Sequence, residues 1–73
     1  MKTEKQIVFG RRLRYYRLER ELTQEKLGTI SGLNLSYIAS IERGERNVSL
    51  NNIWKLADAL EINPVQFFEP VTF

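Results

Sequence analysis

Residues 22–44 of the chain read LTQEKLGTISGLNLSYIASIERG, a segment whose residue types predict two short helices joined by a turn. Thr23 is placed to cap a first short helix, and Gly32 is placed to end it. A second helix is expected at about 35–43, and Gly44 follows it where a left-handed residue commonly ends a helix. Two helices joined by a short turn that contains glycine form a helix-turn-helix arrangement.

The rest of the chain is also helical in pattern, because apolar residues recur at helical spacing and almost nowhere alternate. Asn63 followed by Pro64 is typical of a further helix start, since proline at the first helical position needs no N–H partner. The sequence therefore predicts an all-α fold, a compact domain of five short helices that occupies the whole of residues 1–73. The expected helices lie at about 3–19, 23–31, 35–43, 50–60 and 65–69.

The composition excludes several classes of function. The 73 residues include no cysteine and no histidine, so disulfides, thiolate metal sites and the commonest general base are absent. No nucleophile–base pair or glycine-rich phosphate loop is present, so we expect no enzyme, no cofactor, no metal and no small-molecule ligand. No apolar run is long enough for a signal peptide or a membrane helix, which predicts a cytoplasmic protein without a membrane partner.

The net charge of +2 conceals an uneven distribution. Residues 1–20 carry seven basic and two acidic side chains, residues 21–46 carry three and four, and residues 47–73 carry one and three. An anionic partner would therefore meet the N-terminal part first.

The outer face of the second motif helix is unusual for a helix that meets only solvent. It carries Leu35, Ser36, Tyr37 and Ser40, which are small or able to hydrogen-bond, where lysine and glutamate pairs would be ordinary. A major groove about 12 Å wide admits a helix with such side chains. The face therefore predicts binding to double-stranded DNA.

Several segments resemble the lambda-repressor and Cro class of bacterial helix-turn-helix DNA-binding domains over about residues 9–68. They are LTQEKL at 22–27, GL at 32–33, YI at 37–38, IERG at 41–44 and KLADAL at 55–60. The loop ERGERN at 42–47 and the FFE at 67–69 are similar to those of restriction–modification controller proteins. This resemblance implies a homodimer on a palindromic operator that regulates its own gene and a linked endonuclease gene, with RNA polymerase as a further partner that is blocked or contacted.

The resemblance also implies roles for individual residues. Gln24 would meet a phosphate at the start of a helix, where free N–H groups favour anions. Leu35, Ser36 and Ser40 would face base edges, and Arg46 is long enough to reach one. Arg17 and Glu42 would form a partly buried structural ion pair. The full set of expected DNA-binding residues is Thr23, Gln24, Asn34, Leu35, Ser36, Tyr37, Ser40, Arg43, Arg46 and Asn47.

Three further residues depart from the family pattern. Lys26 stands where glutamate would complete a capping box with Thr23. Gly28 replaces a usual alanine and is expected to weaken its helix by roughly 1 kcal/mol. Glu61 stands where glycine often ends the fourth helix.

A chain this short buries only about 60% of its unfolded surface, so a partner copy would help to stabilise it. The sequence also has more large apolar residues near its end than a small core can bury. We therefore expect a symmetric homodimer through the last helix and the outer side of the fourth. The expected interface residues are Trp54, Val65, Phe67, Phe68, Val71 and Phe73. A protein-interaction module of the same fold, such as an antitoxin or an adaptor, is the alternative, since a fold alone does not fix function.

Overall fold

The computed structural model describes residues 2–70 and shows helices and no strand within them. The elements are α1 at Glu4–Glu19, α2 at Gln24–Ser31, α3 at Leu35–Glu42, α4 at Leu50–Leu60 and a 3-10 helix at Pro64–Phe68. The all-α prediction is confirmed, and the first four helices lie where the sequence predicted them. None of the described helices is long and apolar enough to cross a membrane.

The fifth α-helix of the prediction is wrong, because this segment forms a 3-10 helix. Its start is as expected: the Asn63 side chain accepts from the N–H of Val65, and Pro64 occupies the first position. The segment has five residues, and Glu69 is already extended before Pro70. So short a segment gains few i→i+4 hydrogen bonds, which favours the tighter 3-10 geometry.

Side-chain caps fix where each α-helix begins. Thr3, Thr23, Asn34 and Ser49 all accept a hydrogen bond from a backbone N–H of the first turn. A reciprocal capping box is present on α1: the Thr3 side chain accepts from the N–H of Gln6, and the Gln6 side chain accepts from the N–H of Thr3. Thr23 has the forward bond from Lys26 N; a lysine side chain has no acceptor to complete the box, as the sequence indicated.

The ends of all four α-helices use a residue with positive φ. Gly32 and Gly44 adopt 77° and 78°, where glycine has no steric penalty. Glu21 and Glu61 adopt 55° and 56°, a conformation that disfavours any residue with a Cβ. Glu61, which stands where the family often has glycine, therefore ends α4 in a strained conformation. A hydrogen bond from the N–H of Ile62 to the carbonyl of Ala57 stabilises this helix end.

The core lies where the four α-helices and the 3-10 helix meet. Helix α1 packs on α3 and on the 3-10 helix, and α2 packs on α3 and α4. The fully buried apolar side chains are Leu13, Leu27, Ile38, Ile41, Leu56, Ala57, Leu60 and Phe67. Burying these side chains supplies the main favourable free energy of folding.

The assignment of Phe67 to a dimer interface is wrong. Its side chain is 0% exposed within one chain, with its ring centroid 5.0 Å from that of Phe9 and 6.1 Å from that of Tyr16. Phe68, the next residue, points outward and is 57% exposed. The sequence shows two adjacent phenylalanines but not which one the short helix turns inward.

Two glycines allow backbones to approach closely. A Cβ on Gly10 of α1 would lie 2.3 Å from the carbonyl oxygen of Ile41 in α3. A Cβ on Gly28 of α2 would lie 2.7 Å from the carbonyl oxygen of Leu33 in the following turn. Gly28 therefore also permits a close backbone approach, because an alanine there would meet the Leu33 carbonyl; its expected cost to the helix stays a prediction.

A buried ion pair joins α1 to α3. Arg17 donates from Nε to Oε2 of Glu42 at 2.7 Å and from Nη2 to Oε1 at 3.0 Å. The two side chains are 9% and 4% exposed, and Arg17 Nη1 also donates to the carbonyl of Leu22 at 2.7 Å. The structure thus contains the Arg17–Glu42 pair that the sequence comparison implied, and this pair fixes the position of the second motif helix.

Candidate DNA-binding surface

Helix α3 presents its first turn to solvent. Asn34 caps it by accepting from the N–H of Ser36 at 2.7 Å, and it also accepts from the Ser36 hydroxyl. The Ser36 proton is thereby used, which leaves the lone pairs of its oxygen for an outside donor. Leu35 is 45% exposed, so its methyl groups are available for an apolar contact.

Gln24 lies at the first position of α2, immediately after the cap Thr23. Its Nε2 donates to Oε1 of Glu42 at 3.0 Å, which ties the side chain to α3. One amide hydrogen remains for another acceptor. The start of a helix favours an anion, so this geometry suits a phosphate near both motif helices.

Ser40 does not lie where a base reader would. It is 5% exposed, and its hydroxyl donates to the carbonyl of Tyr37 at 2.7 Å while accepting from Arg46 Nε at 3.0 Å. A serine hydroxyl has one proton, which is committed here inside the protein. The assignment of Ser40 as a direct base contact is therefore wrong.

Tyr37 and Arg46 form one unit on the surface. The guanidinium carbon of Arg46 lies 5.6 Å from the centroid of the Tyr37 ring, within cation–π range. The Tyr37 hydroxyl accepts from Asn52 Nδ2 of α4 at 3.0 Å, and the ring is half-buried against the core. The sequence does not indicate this role for Asn52, because Asn52 lies on another helix and belongs to no motif.

The loop after α3 carries two of the remaining predicted residues. Arg43 donates twice to Glu45, at 3.0 Å and 3.1 Å. These hydrogen bonds lower the pKa of Glu45, which Lys2 and Arg46 lower further by their charge, and they raise the pKa of Arg43. Asn47 is exposed in the same loop. Arg43 must exchange its carboxylate partner for a phosphate if it is to bind DNA.

The surface therefore gathers most of the predicted residues around α3. Thr23 and Asn34 cap the two motif helices, and Ser36 donates to the Asn34 side chain. Gln24 and Arg46 are hydrogen-bonded within the protein but keep free N–H donors. Leu35 and Asn47 are exposed. Residues 2–70 contain no cluster of acidic residues that could hold a metal ion.

A second surface is apolar. Leu50 and Trp54 lie one turn apart on α4 and are 68% and 49% exposed. Val65 and Phe68 lie one turn apart on the 3-10 helix, which packs on α4, and they are 50% and 57% exposed. Leu50 is an addition to the predicted set. The predicted interface residues Val71 and Phe73 lie outside the described residues.

Comparison with known proteins agrees with this architecture. A family model described as helix-turn-helix matches residues 13–67. Control protein C.BamHI of Bacillus amyloliquefaciens is 42% identical over 67 residues, covering 90% of this chain and 83% of that protein. Control protein C.MunI of a Mycoplasma species is 38% identical over 66 residues, covering 89% of each.

A solved structure gives the same result. The restriction–modification controller protein C.AhdI from Aeromonas hydrophila superposes with a TM-score of 0.89 at 50% identity, over 90% of this chain and 100% of that one. These relatives are regulators, which confirms the expectation that the chain is not an enzyme. The chain belongs to the helix-turn-helix family of transcription regulators, in the group that contains the restriction–modification controller proteins.

Proposed function

We propose that this protein binds a palindromic DNA operator as a symmetric homodimer and controls its own promoter and that of a linked restriction endonuclease. The observation that carries the proposal is the exposed first turn of α3, a helix that the Arg17–Glu42 pair ties to α1 and the Gln24–Glu42 hydrogen bond ties to α2. The similarity to control proteins supports a linked restriction endonuclease gene as the regulated target. As a DNA-binding protein with its relatives' role, it would act in the cytoplasm.

The polar groups around α3 sort into two kinds of contact. Gln24, Arg43 and Asn47 lie where donors would meet phosphates and set the register of the helix on the duplex. Leu35 and Ser36 face outward at the start of α3, where side chains reach base edges in the major groove. Leu35 suits a thymine methyl group, and the Ser36 oxygen suits a base donor. Only this second kind of contact selects a sequence.

The apolar surface supplies the dimer contact. Leu50, Trp54, Val65 and Phe68 lie on two packed elements and remain about half exposed or more in one chain. A two-fold axis through this surface would pair it with itself, which is the symmetry that a palindromic site requires. The two α3 helices would then enter successive major grooves about 34 Å apart.

The proposal is tested by selecting duplexes from a random library with the purified protein. We expect a palindrome whose half-sites are about one helical turn apart. Enrichment of no sequence would refute operator binding. If the protein instead copurified in equal amounts with a small protein partner, the adaptor or antitoxin alternative would replace the proposal.

The dimer surface is tested separately by Phe68→Ala in sedimentation velocity. The expected result is a shift toward monomer and a loss of affinity for the selected palindrome. The matched control is Leu18→Ala on α1, which removes a leucine that is 51% exposed outside this surface. A Phe68→Ala protein that sediments like wild type would exclude this surface as the interface.

A further inference from the structure

The DNA-binding surface contains a small network of side chains that spans three parts of the chain. Asn52 of α4 donates to the Tyr37 hydroxyl at 3.0 Å. The Tyr37 ring lies under the guanidinium of Arg46, and the Nε of Arg46 donates to the Ser40 hydroxyl at 3.0 Å. Ser40 in turn donates to the carbonyl of Tyr37 at 2.7 Å, which closes the network.

The direction of each hydrogen bond determines what the network can offer to DNA. Ser40 is 5% exposed, and its hydroxyl proton is donated to the carbonyl of Tyr37, so Ser40 has no proton to donate to DNA. Tyr37 accepts from Asn52 and therefore keeps its own proton. Arg46 spends one N–H on Ser40 and keeps the N–H groups of Nη1 and Nη2. The network thus presents donors, through Tyr37 and Arg46, to an acceptor-rich partner such as DNA.

We propose that Ser40 and Asn52 are positioning residues of the DNA-binding surface, with Ser40 holding Arg46 and Asn52 holding Tyr37 in the orientation that meets DNA. This inference rests on the proposed function. An arginine that is free in solution loses rotamer freedom when it binds, whereas one already fixed by Ser40 and the Tyr37 ring loses less. Both residues therefore raise affinity without contacting the duplex.

The test is a double-mutant cycle on the affinity for the duplex recovered by library selection. Ser40→Ala is expected to weaken binding by about tenfold, the scale of one hydrogen bond to a charged group. In an Arg46→Ala background, the same change should alter affinity by no more than about twofold, because the group that Ser40 positions is gone. The matched control is Thr29→Ala, which removes a hydroxyl that also donates to a carbonyl of its own helix, that of Glu25.

A second cycle makes the inference independent of the folding of one variant. Asn52→Ala should weaken binding in the wild type and have little further effect in a Tyr37→Phe background, which lacks the hydroxyl. Without DNA, the Arg46 Nε–H resonance should exchange with water more slowly in the wild type than in Ser40→Ala. This measurement reports the network itself, separately from any binding.

The outcomes separate the inference from the proposed function. If the wild type binds no duplex better than random sequence, both fail. If the wild type selects an operator but Ser40→Ala and Asn52→Ala bind it as tightly, only the positioning role is refuted. An equal loss from Ser40→Ala in the wild-type and Arg46→Ala backgrounds would also refute it, since Ser40 would then act by another route.

Discussion

Replacing Glu42 by alanine should destabilise the protein more than loss of any exposed charge. Glu42 accepts two hydrogen bonds from Arg17, at 2.7 Å and 3.0 Å, and one from Gln24 at 3.0 Å. Its removal leaves the Arg17 side chain, which is 9% exposed, with its hydrogen bond to the carbonyl of Leu22 but without its carboxylate partner. Stranding a buried charge in this way costs about 3–5 kcal/mol.

That cost is large against the whole free energy of unfolding. At about 0.05–0.15 kcal/mol per residue, a chain of 73 residues is stabilised by about 4–11 kcal/mol. Glu42→Ala should therefore unfold much of the population near room temperature or shift the urea midpoint far downward. Urea unfolding should be followed at one fixed protein concentration, because dimerisation adds to apparent stability.

The control is Arg20→Ala, which breaks an ion pair with Glu61 whose side chains are 42% and 74% exposed. A surface pair of this kind contributes at most about 1 kcal/mol. The combined change Arg17→Met with Glu42→Leu should cost less than the two single changes added together, because neither charge is then stranded. A Glu42→Ala protein as stable as Arg20→Ala, or a strictly additive double variant, would show that removing Glu42 strands no buried charge.

Three further changes have defined outcomes. Gly10→Ala should lower stability by about 1–3 kcal/mol or more in thermal unfolding, because the new Cβ meets the Ile41 carbonyl oxygen at 2.3 Å; an unchanged melting temperature would contradict the close helix approach. In an Arg20→Ala background, where the Arg20–Glu61 ion pair is already absent, Glu61→Gly should raise stability by about 1 kcal/mol, since φ is 56° at this residue; a loss of stability in that background would show that position 61 is not strained. Arg43 lowers the pKa of Glu45, so their ion pair is complete above the ordinary carboxyl pKa and is lost as the pH falls through the lowered value. A carbon-13 titration should therefore place Glu45 below an ordinary glutamate, and Arg43→Ala should move it back; no movement would argue against the pair.

The local structure around the motif follows largely from the sequence, because caps and glycines act over a few residues. Thr23 and Asn34 begin the two motif helices, and Gly32 and Gly44 end them, as their residue types predict. A hydroxyl or amide side chain caps the start of a helix by bonding to a backbone N–H two or three residues away, and glycine just past the end adopts positive φ. Both interactions are local, so the residue types alone predict where these helices begin and end.

Other features depend on contacts between distant parts of the chain and could not be predicted. The sequence predicts Ser40 as a base reader because it shares a face of α3 with exposed residues, but the loop after α3 brings Arg46 within hydrogen-bond distance of its hydroxyl. The sequence does not indicate that Gly10 is required for close helix packing, since this requirement comes from the backbone of Ile41 in another helix. The burial of Phe67 depends on distant contacts for the same reason, since composition shows a surplus of aromatic residues and packing decides which of them is buried.

If the first turn of α3 reads operator bases, as we propose, a substitution in that turn should change the DNA sequence that the protein selects. Library selection should be repeated with Leu35→Arg, because arginine binds guanine N7 and O6 in the major groove. The matched control is Leu18→Arg, the same chemical change at an exposed leucine of α1. We expect Leu35→Arg to select a palindrome altered at one equivalent position in each half-site, with guanine gained, while Leu18→Arg selects the wild-type sequence. Selection of the wild-type sequence by Leu35→Arg would show that residue 35 does not contact operator bases.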